Sequence, residues 1–244
     1  MFDARLAAAA HGHVHQYEVV ADLFAARYDA VTTVGEVFGG SDLGLGVAEA
    51  CDGEVVSVDG ATWRVPADGT PVPAPADLGL PFAIAAAGGV PLEIPCAGGA
   101  AMADVALLVT DALRQARADD PHHVAAVRID GTFRDVLLRS ERRQEPPYQP
   151  LVKVLADEVH FAFDQWAGTL VGFRFPDVED GLVIPGLHLH AIAADRRSGG
   201  HVHRFIAEVV TLRVWVDDAE ITVPHDRLAS LLTRRITDDR AGEP

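Results

Sequence analysis

The segment IPGLHLHAIAADRRSGGHVHRF, residues 184–205, predicts two strands joined by a tight turn. Residues two apart on a strand share a face, so the imidazoles of His188 and His190 point to the same side. The polar, glycine-containing run 195–200 is typical of a turn. This turn would bring the second strand back beside the first and place His201 close to the other two histidines.

Three neutral imidazoles that converge from two strands are typical of an open zinc site, in which the remaining coordination positions accept water or substrate. A His-x-His pair on a strand is also typical of a solvated polar face, and spacing alone leaves both interpretations open. His203 follows His201 by two residues and would share its face, so it is an alternative ligand.

The other histidines are weaker candidates for a metal site. His11, His13 and His15 alternate near the N-terminus, where adventitious nickel or zinc binding is the favoured interpretation over a functional metal. The pair at 122–123 and His160 are predicted to lie on the surface.

The N-terminal part of the chain alternates helices and strands. Apolar spacing predicts a helix over 18–29 and another over 101–117. Thr33 and Glu36 have the spacing of a capping box, which predicts a short helix that ends at Gly39. The remaining elements are the hairpin strands 54–58 and 61–65 around Asp59-Gly60, an irregular proline-rich loop over 66–81, strands in 82–95, and strands 124–130 and 132–138 joined by a turn at Asp130-Gly131.

Beyond the polar, proline-rich segment 142–150 the sequence predicts mostly strands. These are 151–155, 158–163, 168–175, 187–192, 201–216 and 220–223, and the polar tail 225–244 is partly helical. A loose boundary therefore divides an N-terminal α+β half, 1–145, from a mostly β half, 146–244, which carries the histidines. Helices mixed with many short strands indicate the α+β class.

Composition limits the classes of partner. The chain has 244 residues, of which 49% are hydrophobic, and a net charge of −16. Such a surface repels phosphate backbones and anionic lipids, so we expect neither nucleic acid nor membrane as a partner. Cys51 and Cys96 form no disulfide framework, the N-terminus does not resemble a secretion signal, and no apolar run reaches membrane-spanning length. A cytoplasmic location is the expectation.

Two charged residues have both a structural and a catalytic interpretation. Glu54 begins a hairpin strand, where a carboxylate is usually solvated, but next to a metal it could act as a general acid or base. Arg139 ends an apolar strand and could simply pair with Glu141 or Glu145. Alternatively, its guanidinium could bind a substrate carboxylate through two hydrogen bonds.

Several phrases in this order resemble the α-acetolactate decarboxylase family, most densely over residues 128–203. They are DLGLG and DGE with the following DG near 42–60, RIDGTF at 128–133, RQEPPYQPLV at 143–152, GTLVGFRFP at 168–176 and PGLHLHAIAADRRSGGHV at 185–202.

The resemblance implies two closely packed α+β halves with mixed sheets, a zinc ion between them and a homodimer. It places zinc on His188, His190 and His201. It places the active-site glutamate of the DGE phrase on Glu54 and the active-site arginine on Arg139. It also implies a glutamate close to the C-terminus, for which Glu243 is the candidate in this chain.

Val47 departs from the family pattern, because relatives often carry threonine at this position and valine cannot donate its hydrogen bond.

The activity implied is the decarboxylation of 2-acetolactate to acetoin and CO2 through a metal-stabilised enediolate, as a carboxy-lyase acting on a small 2-hydroxy-3-oxo acid. Two alternatives stay open. One is a zinc enzyme with another substrate. It would be either a decarboxylase of a larger acetohydroxy acid or a hydrolase that uses zinc-bound hydroxide. The other is a non-catalytic zinc-binding relative.

Overall fold

In the computed structural model, residues 12–116, 124–175, 181–217 and 219–222 are described. They form two large β-sheets with few helices, as the α+β prediction requires. The helices are α1 (Val20–Phe24), α2 (Val34–Phe38), α3 (Met102–Ala116) and α4 (Leu151–Ala156). The strands are β1 (Gly12–Tyr17), β2 (Thr32–Thr33), β3 (Leu43–Val47), β4 (Glu54–Val58), β5 (Ala61–Val65), β6 (Val72–Pro73), β7 (Gly79–Leu80), β8 (Phe82–Gly88), β9 (Leu92–Ile94), β10 (Val124–Ser140), β11 (Val159–Phe175), β12 (Gly186–Ala193), β13 (Gly199–Asp217) and β14 (Ala219–Thr222).

The first sheet has seven strands in the order β14-β1-β8-β3-β4-β5-β6. Among the described strands of this sheet, β1 and β14 are the one parallel pair, so the sheet is mixed. The predicted hairpin is present as β4 and β5, with Asp59 and Gly60 both at positive φ in the turn. The predicted capping box is also present, because Thr33 accepts from the backbone of Glu36 and the Glu36 side chain accepts from the backbone of Thr33. β2 and β7 form a separate two-stranded pair.

The second sheet is antiparallel and its pairings close on themselves. β10 pairs with both β11 and β13, and β12 pairs with the same two strands on the other side. β9 extends the sheet beyond β13. The sheet thus takes β9 and β10 from before residue 145 and the remaining strands from after it. The predicted division at residue 145 does not coincide with the division between the sheets, and whether the two parts fold separately stays a prediction.

The two sheets share one apolar core. Val56 and Phe82 of the first sheet belong to the same buried cluster as Val171, Phe173 and Ile192 of the second. Alternate residues of β10 point to the opposite face, where α3 covers a second cluster. The site described below lies at the edge of the core shared by the two sheets, where polar side chains replace apolar ones.

The turn predicted at Asp130-Gly131 is wrong, because β10 runs through both residues without a break. Gly131 is required here by a close approach. A Cβ on Gly131 would lie 2.1 Å from the carbonyl oxygen of Val209 on β13, and the backbone has a φ of 151°. Glycine in this strand therefore marks close contact with a neighbouring strand.

Residues 151–155, predicted as a strand, form helix α4 instead. Leu151, Val154 and Leu155 have helical spacing, and that face packs inward: Val154 is buried in the shared core, and the other two line the site cavity. The predicted strands 158–163 and 168–175 are one strand, β11.

The helix predicted over 18–29 is shorter, because Glu18 and Ala26 on either side of α1 have φ values of 71° and 61°. Residues 225–244, with Glu243, and also His11 and the histidines at 122–123, lie outside the described residues. Among the described helices, none is long and apolar enough to cross a membrane.

Gly131→Ala should destabilise the fold by roughly 3 kcal/mol, because the new methyl group would overlap the Val209 carbonyl and alanine would have to keep the φ of 151°, which L-residues rarely adopt. Gly40→Ala is the matched control, since no atom of the described residues lies within 4 Å of a Cβ there. Urea unfolding of both variants measures the difference, and a Gly131→Ala midpoint equal to that of the control would contradict the close approach.

Candidate metal centre and active site

The strand register places three site residues in one row across the second sheet. His190 of β12 lies opposite His201 of β13, and His201 lies opposite Arg139 of β10. Residues directly opposite each other in an antiparallel sheet share a face, so these three side chains point to the same side. His188 joins them because it precedes His190 by two residues on the same strand. The predicted strand–turn–strand arrangement is therefore present.

The three imidazoles converge closely. Their ring centroids lie 5.1 Å apart for His188 and His190, 4.7 Å for His188 and His201, and 5.4 Å for His190 and His201. One nitrogen from each ring lies within 4.8 Å of the other two, so one ion could reach all three. The Nε2 atoms of His188 and His190 are 3.2 Å apart, close to the roughly 3.3 Å that separates two nitrogens on a tetrahedral zinc ion.

A backbone carbonyl orients one of the rings. Nδ1 of His190 lies 2.9 Å from the carbonyl oxygen of Val55 on β4, to which it donates its N–H. Nε2 is then left with a lone pair, as in metal sites where a second partner fixes the imidazole tautomer. Nε2 also lies 3.2 Å from Oε2 of Glu54. Nε2 of His190 thus faces both an imidazole nitrogen of His188 and a carboxylate oxygen of Glu54, which are groups that can bind a cation.

Burial keeps the imidazoles neutral. It lowers the pKa of His190 and lowers the pKa of His188 and His201 well below the ordinary value, and for His188 the neighbouring His190 and Arg139 act in the same direction. Because the neutral imidazole is the form that binds a metal, these rings need not lose a proton first. Nδ1 of His188 and of His201 is buried without a hydrogen-bond partner among the described atoms.

Glu54 joins the site from the other sheet. It begins β4 and is only 4% exposed. Its Oε1 accepts a hydrogen bond of 2.6 Å from Nη1 of Arg139, and its Oε2 faces His190. The structure therefore brings together the five described residues that the sequence singled out: two charged residues and three histidines.

Two further carboxylates surround Arg139, and sequence reasoning gave them no role in the site. Glu141 contacts Nη1 and is 3% exposed, and Glu158 places Oε2 3.2 Å from Nε. Burial alone would raise the pKa of Glu158, but hydrogen bonding to His203 and the charge of Arg139 lower it. Glu141 had entered only as an ordinary ion-pair partner of Arg139, and that pairing exists. Glu158 is far from the other site residues in sequence, so no local pattern indicates it.

The three histidines, Arg139, Glu54 and Glu141 line one cavity of about 260 Å³ between the sheets, whereas Glu158 is not part of its wall. Most of its wall is apolar, and the wall includes Val47, which the register pairs with Glu54. Cys51 also lines the cavity, but burial and the nearby Glu54 raise the pKa of its thiol to about 12. The thiol is therefore protonated at neutral pH and is a poor nucleophile. One cavity thus combines convergent imidazoles, a guanidinium and carboxyl groups with an apolar wall.

His203 does not join the three-histidine group. Its Nε2 lies 2.8 Å from Glu158, and the two residues form a separate cluster with His160. His13 and His15 lie with Glu220 in a third cluster on the first sheet. Glu243 lies outside the described residues, so its role stays a prediction.

Such a cavity, with three convergent imidazoles beside acid–base groups, defines a candidate metalloenzyme site. A sequence model of the alpha-acetolactate decarboxylase family matches residues 14–228, and the chain belongs to that family.

Individual relatives agree with the family assignment. The alpha-acetolactate decarboxylase of Methylococcus capsulatus is 30% identical over 209 residues, which cover 86% of this chain and 76% of the relative. The one from Klebsiella aerogenes is 32% identical, covering 78% and 71% of the two chains. The crystal structure of the alpha-acetolactate decarboxylase of Bacillus subtilis strain 168 superposes with a TM-score of 0.77 at 27% identity, covering 87% of this chain and 89% of that one. The predictions of the family and of the enzyme class, a carboxy-lyase, are confirmed.

The buried imidazoles predict a pH dependence for the metal-free protein. His188 and His201 are neutral in the fold, whereas in the unfolded chain they take up protons below a pKa of 6.5. The unfolded state then binds more protons, so the free energy of unfolding falls as the pH drops through 6.5, by up to about 1.4 kcal/mol per pH unit for each residue.

Urea unfolding with chelator, between about pH 7.5 and 5.5, measures this slope. The double variant His188→Gln/His201→Gln should show a smaller slope than the wild type. Equal slopes in the two proteins would contradict a triad that is buried in its neutral form.

Proposed function

We propose that this chain decarboxylates 2-acetolactate to acetoin and CO2, with a Zn²⁺ ion held by His188, His190 and His201. The observation that carries the proposal is the convergence of three imidazoles, two of them buried and that of His201 partly buried, in the cavity that also contains Arg139 and Glu54. Family membership supports the substrate, because the relatives' names specify acetolactate.

The donor set fits zinc. Three nitrogen ligands without a cysteine are typical of catalytic zinc, which keeps a position open, rather than of structural zinc with four protein ligands. When bound, the ion would act as a Lewis acid toward the substrate oxygens and stabilise the negative charge that develops when CO2 leaves. The closed four-ligand site of a non-catalytic relative is disfavoured, because His203 pairs with Glu158 instead.

Arg139 is positioned to bind the substrate carboxylate. Its ion pairs with Glu54 and Glu141, which both line the cavity, hold the guanidinium at the cavity wall. A guanidinium bound to a carboxylate can turn the breaking C–C bond into line with the π system of the neighbouring ketone. The electron pair left by CO2 then passes into the ketone and gives an enediolate.

A carboxyl group must next return a proton to carbon. Glu54 is the proposed donor, because it lines the cavity beside both His190 and Arg139. Since the carboxylate that pairs with Arg139 carries no proton, it first takes one from water and then delivers it to the carbon that CO2 has left. Glu141 is the other carboxyl group in the described part of the cavity wall, and Glu243 stays a candidate from the sequence. Delivery from one side of the flat enediolate would make a single enantiomer of acetoin.

The apolar wall has two roles in this proposal. It excludes water from the site, which strengthens the electrostatic interactions there. Val47 presents a methyl group beside Glu54 and cannot donate a hydrogen bond to the substrate. Homodimer formation and a cytoplasmic location, both expected from the sequence, belong to the same proposal.

The proposal predicts equal molar amounts of acetoin and CO2 from racemic acetolactate with the zinc-loaded wild-type protein. His190→Ala should lose both the bound zinc and activity, by about a thousandfold or more, because the ion supplies several kcal/mol of stabilisation. His13→Ala, in the third cluster, is the matched control and should keep both. A hydrolysis product in place of CO2, or normal turnover in His190→Ala, would refute the assignment.

Arg139→Ala should retain zinc but lose most turnover, about a hundredfold or more in kcat/KM, because it removes substrate orientation. Arg139→Lys keeps the positive charge but cannot form two parallel hydrogen bonds to a carboxylate, so it should recover only part of the rate. Arg64→Ala is the control, since Arg64 forms an ion pair of 2.7 Å with Asp52 but does not line the cavity. Circular dichroism checks folding, and unchanged kcat/KM in Arg139→Ala would exclude this role.

A further inference from the structure

A second group of metal-ligating side chains lies next to the site. Oε1 of Glu158 is 2.7 Å from Nε2 of His160 and 2.8 Å from Nε2 of His203. The ring centroids of the two histidines are 5.2 Å apart, and the ligand atoms of all three residues lie within 4.8 Å of one another. Both imidazoles therefore converge on one carboxylate oxygen.

The second sheet determines this placement. His160 on β11 lies opposite Arg139 on β10, and His201 on β13 lies opposite Arg139 from the other side. His203 follows on β13, and Glu158 immediately precedes β11. The members of the cluster thus come from β11 and β13, the two strands on either side of β10, and the hydrogen bonds of the sheet hold them together without any bound ion.

The carboxylate of the cluster is held in place, whereas the imidazoles are open to solvent. The side chain of Glu158 is 12% exposed, and its second oxygen, Oε2, contacts Nε of Arg139. The side chains of His160 and His203 are 50% and 37% exposed. An ion could enter from solvent and complete its coordination with water.

We propose that Glu158, His160 and His203 form a second cation site, specific for a divalent transition metal such as Zn²⁺ or Ni²⁺. Two imidazoles and one carboxylate suit these ions, whereas Mg²⁺ and Ca²⁺ prefer sites made of oxygen alone. The site is separate from the three-histidine centre, and its existence does not depend on the decarboxylase proposal.

The second site is linked to the first through Arg139. Oε1 of Glu158 faces the proposed cation site and Oε2 contacts the guanidinium of Arg139. A cation in the second site would therefore attract the negative charge of this carboxylate and weaken its interaction with Arg139. Filling the second site should therefore change turnover without removing the first ion. By contrast, the cluster of His13, His15 and Glu220 has no comparably buried carboxylate, since the side chains of Glu220 and His13 are 62% and 59% exposed.

The test titrates Ni²⁺ into full-length protein already loaded with one equivalent of zinc, and counts both metals per chain after dialysis. Wild type should bind nickel while retaining its zinc. His160→Ala/His203→Ala should keep its zinc but bind nickel at least about tenfold more weakly. Loss of a residue that only hydrogen-bonds to a metal ligand already lowers metal affinity by about tenfold or more, and loss of a ligand itself should lower it at least as much. His13→Ala/His15→Ala can lose only the weak, adventitious nickel expected at the N-terminal histidines, and it should keep the more tightly bound nickel equivalent of the wild type.

Two results would overturn the second site. One is nickel binding that weakens in the His13→Ala/His15→Ala protein but not in the His160→Ala/His203→Ala protein. The other is nickel that binds only as zinc is released, which would place it at the triad. If the double variant does not fold, His203→Gln alone gives the same comparison. A His190→Ala protein that loses zinc but still binds nickel separates this proposal from the first site.

Discussion

The site depends on the register between β10, β13 and β12. Because His201 lies opposite both Arg139 and His190, one row of an antiparallel sheet carries a guanidinium and two imidazoles toward the same cavity. Burying these groups is costly unless each finds a partner. Glu54 and the carbonyl of Val55 on the opposing sheet supply partners for Arg139 and His190. A slip of one residue would turn these side chains to the other face of the sheet.

Charge balance at this row favours a bound cation. Arg139 forms ion pairs with Glu54, Glu141 and Glu158, and one guanidinium cannot neutralise three carboxylates. The chain as a whole is also strongly acidic, with a net charge of −16. A divalent ion on the triad would offset the excess negative charge and provide the positive centre that an anionic substrate needs. The neighbouring second cluster extends the same pattern, since Glu158 links it to Arg139.

Features set by local sequence were predictable. The two strands of the histidine segment, the hairpin at Asp59-Gly60 and the capping box at Thr33 each follow from residues within a few positions of one another. The placement of Glu54 beside Arg139 was accessible only through the family resemblance. These residues are 85 positions apart, on different sheets, and periodicity carries no information about such pairs.

The failures share a physical origin in tertiary contacts. Asp130-Gly131 has the composition of a turn, but the close approach of β13 requires a glycine inside a continuous strand. Residues 151–155 form a helix rather than the predicted strand. Leu151, Val154 and Leu155 recur at helical spacing, and together they form the face that packs against the rest of the protein. Glu158 was missed because its contact with His160, two residues away, does not reveal its pairing with Arg139 and His203, which lie on other strands.

X-ray absorption at the zinc edge tests the central claim most directly, with one equivalent of zinc added to metal-free protein. We predict three nitrogen neighbours from imidazole at about 2.0–2.1 Å, together with one or two oxygen neighbours and no sulfur. In His190→Ala this signature should disappear. A sulfur neighbour at about 2.3 Å, or an unchanged spectrum in His190→Ala, would show that the metal lies elsewhere and would contradict the account.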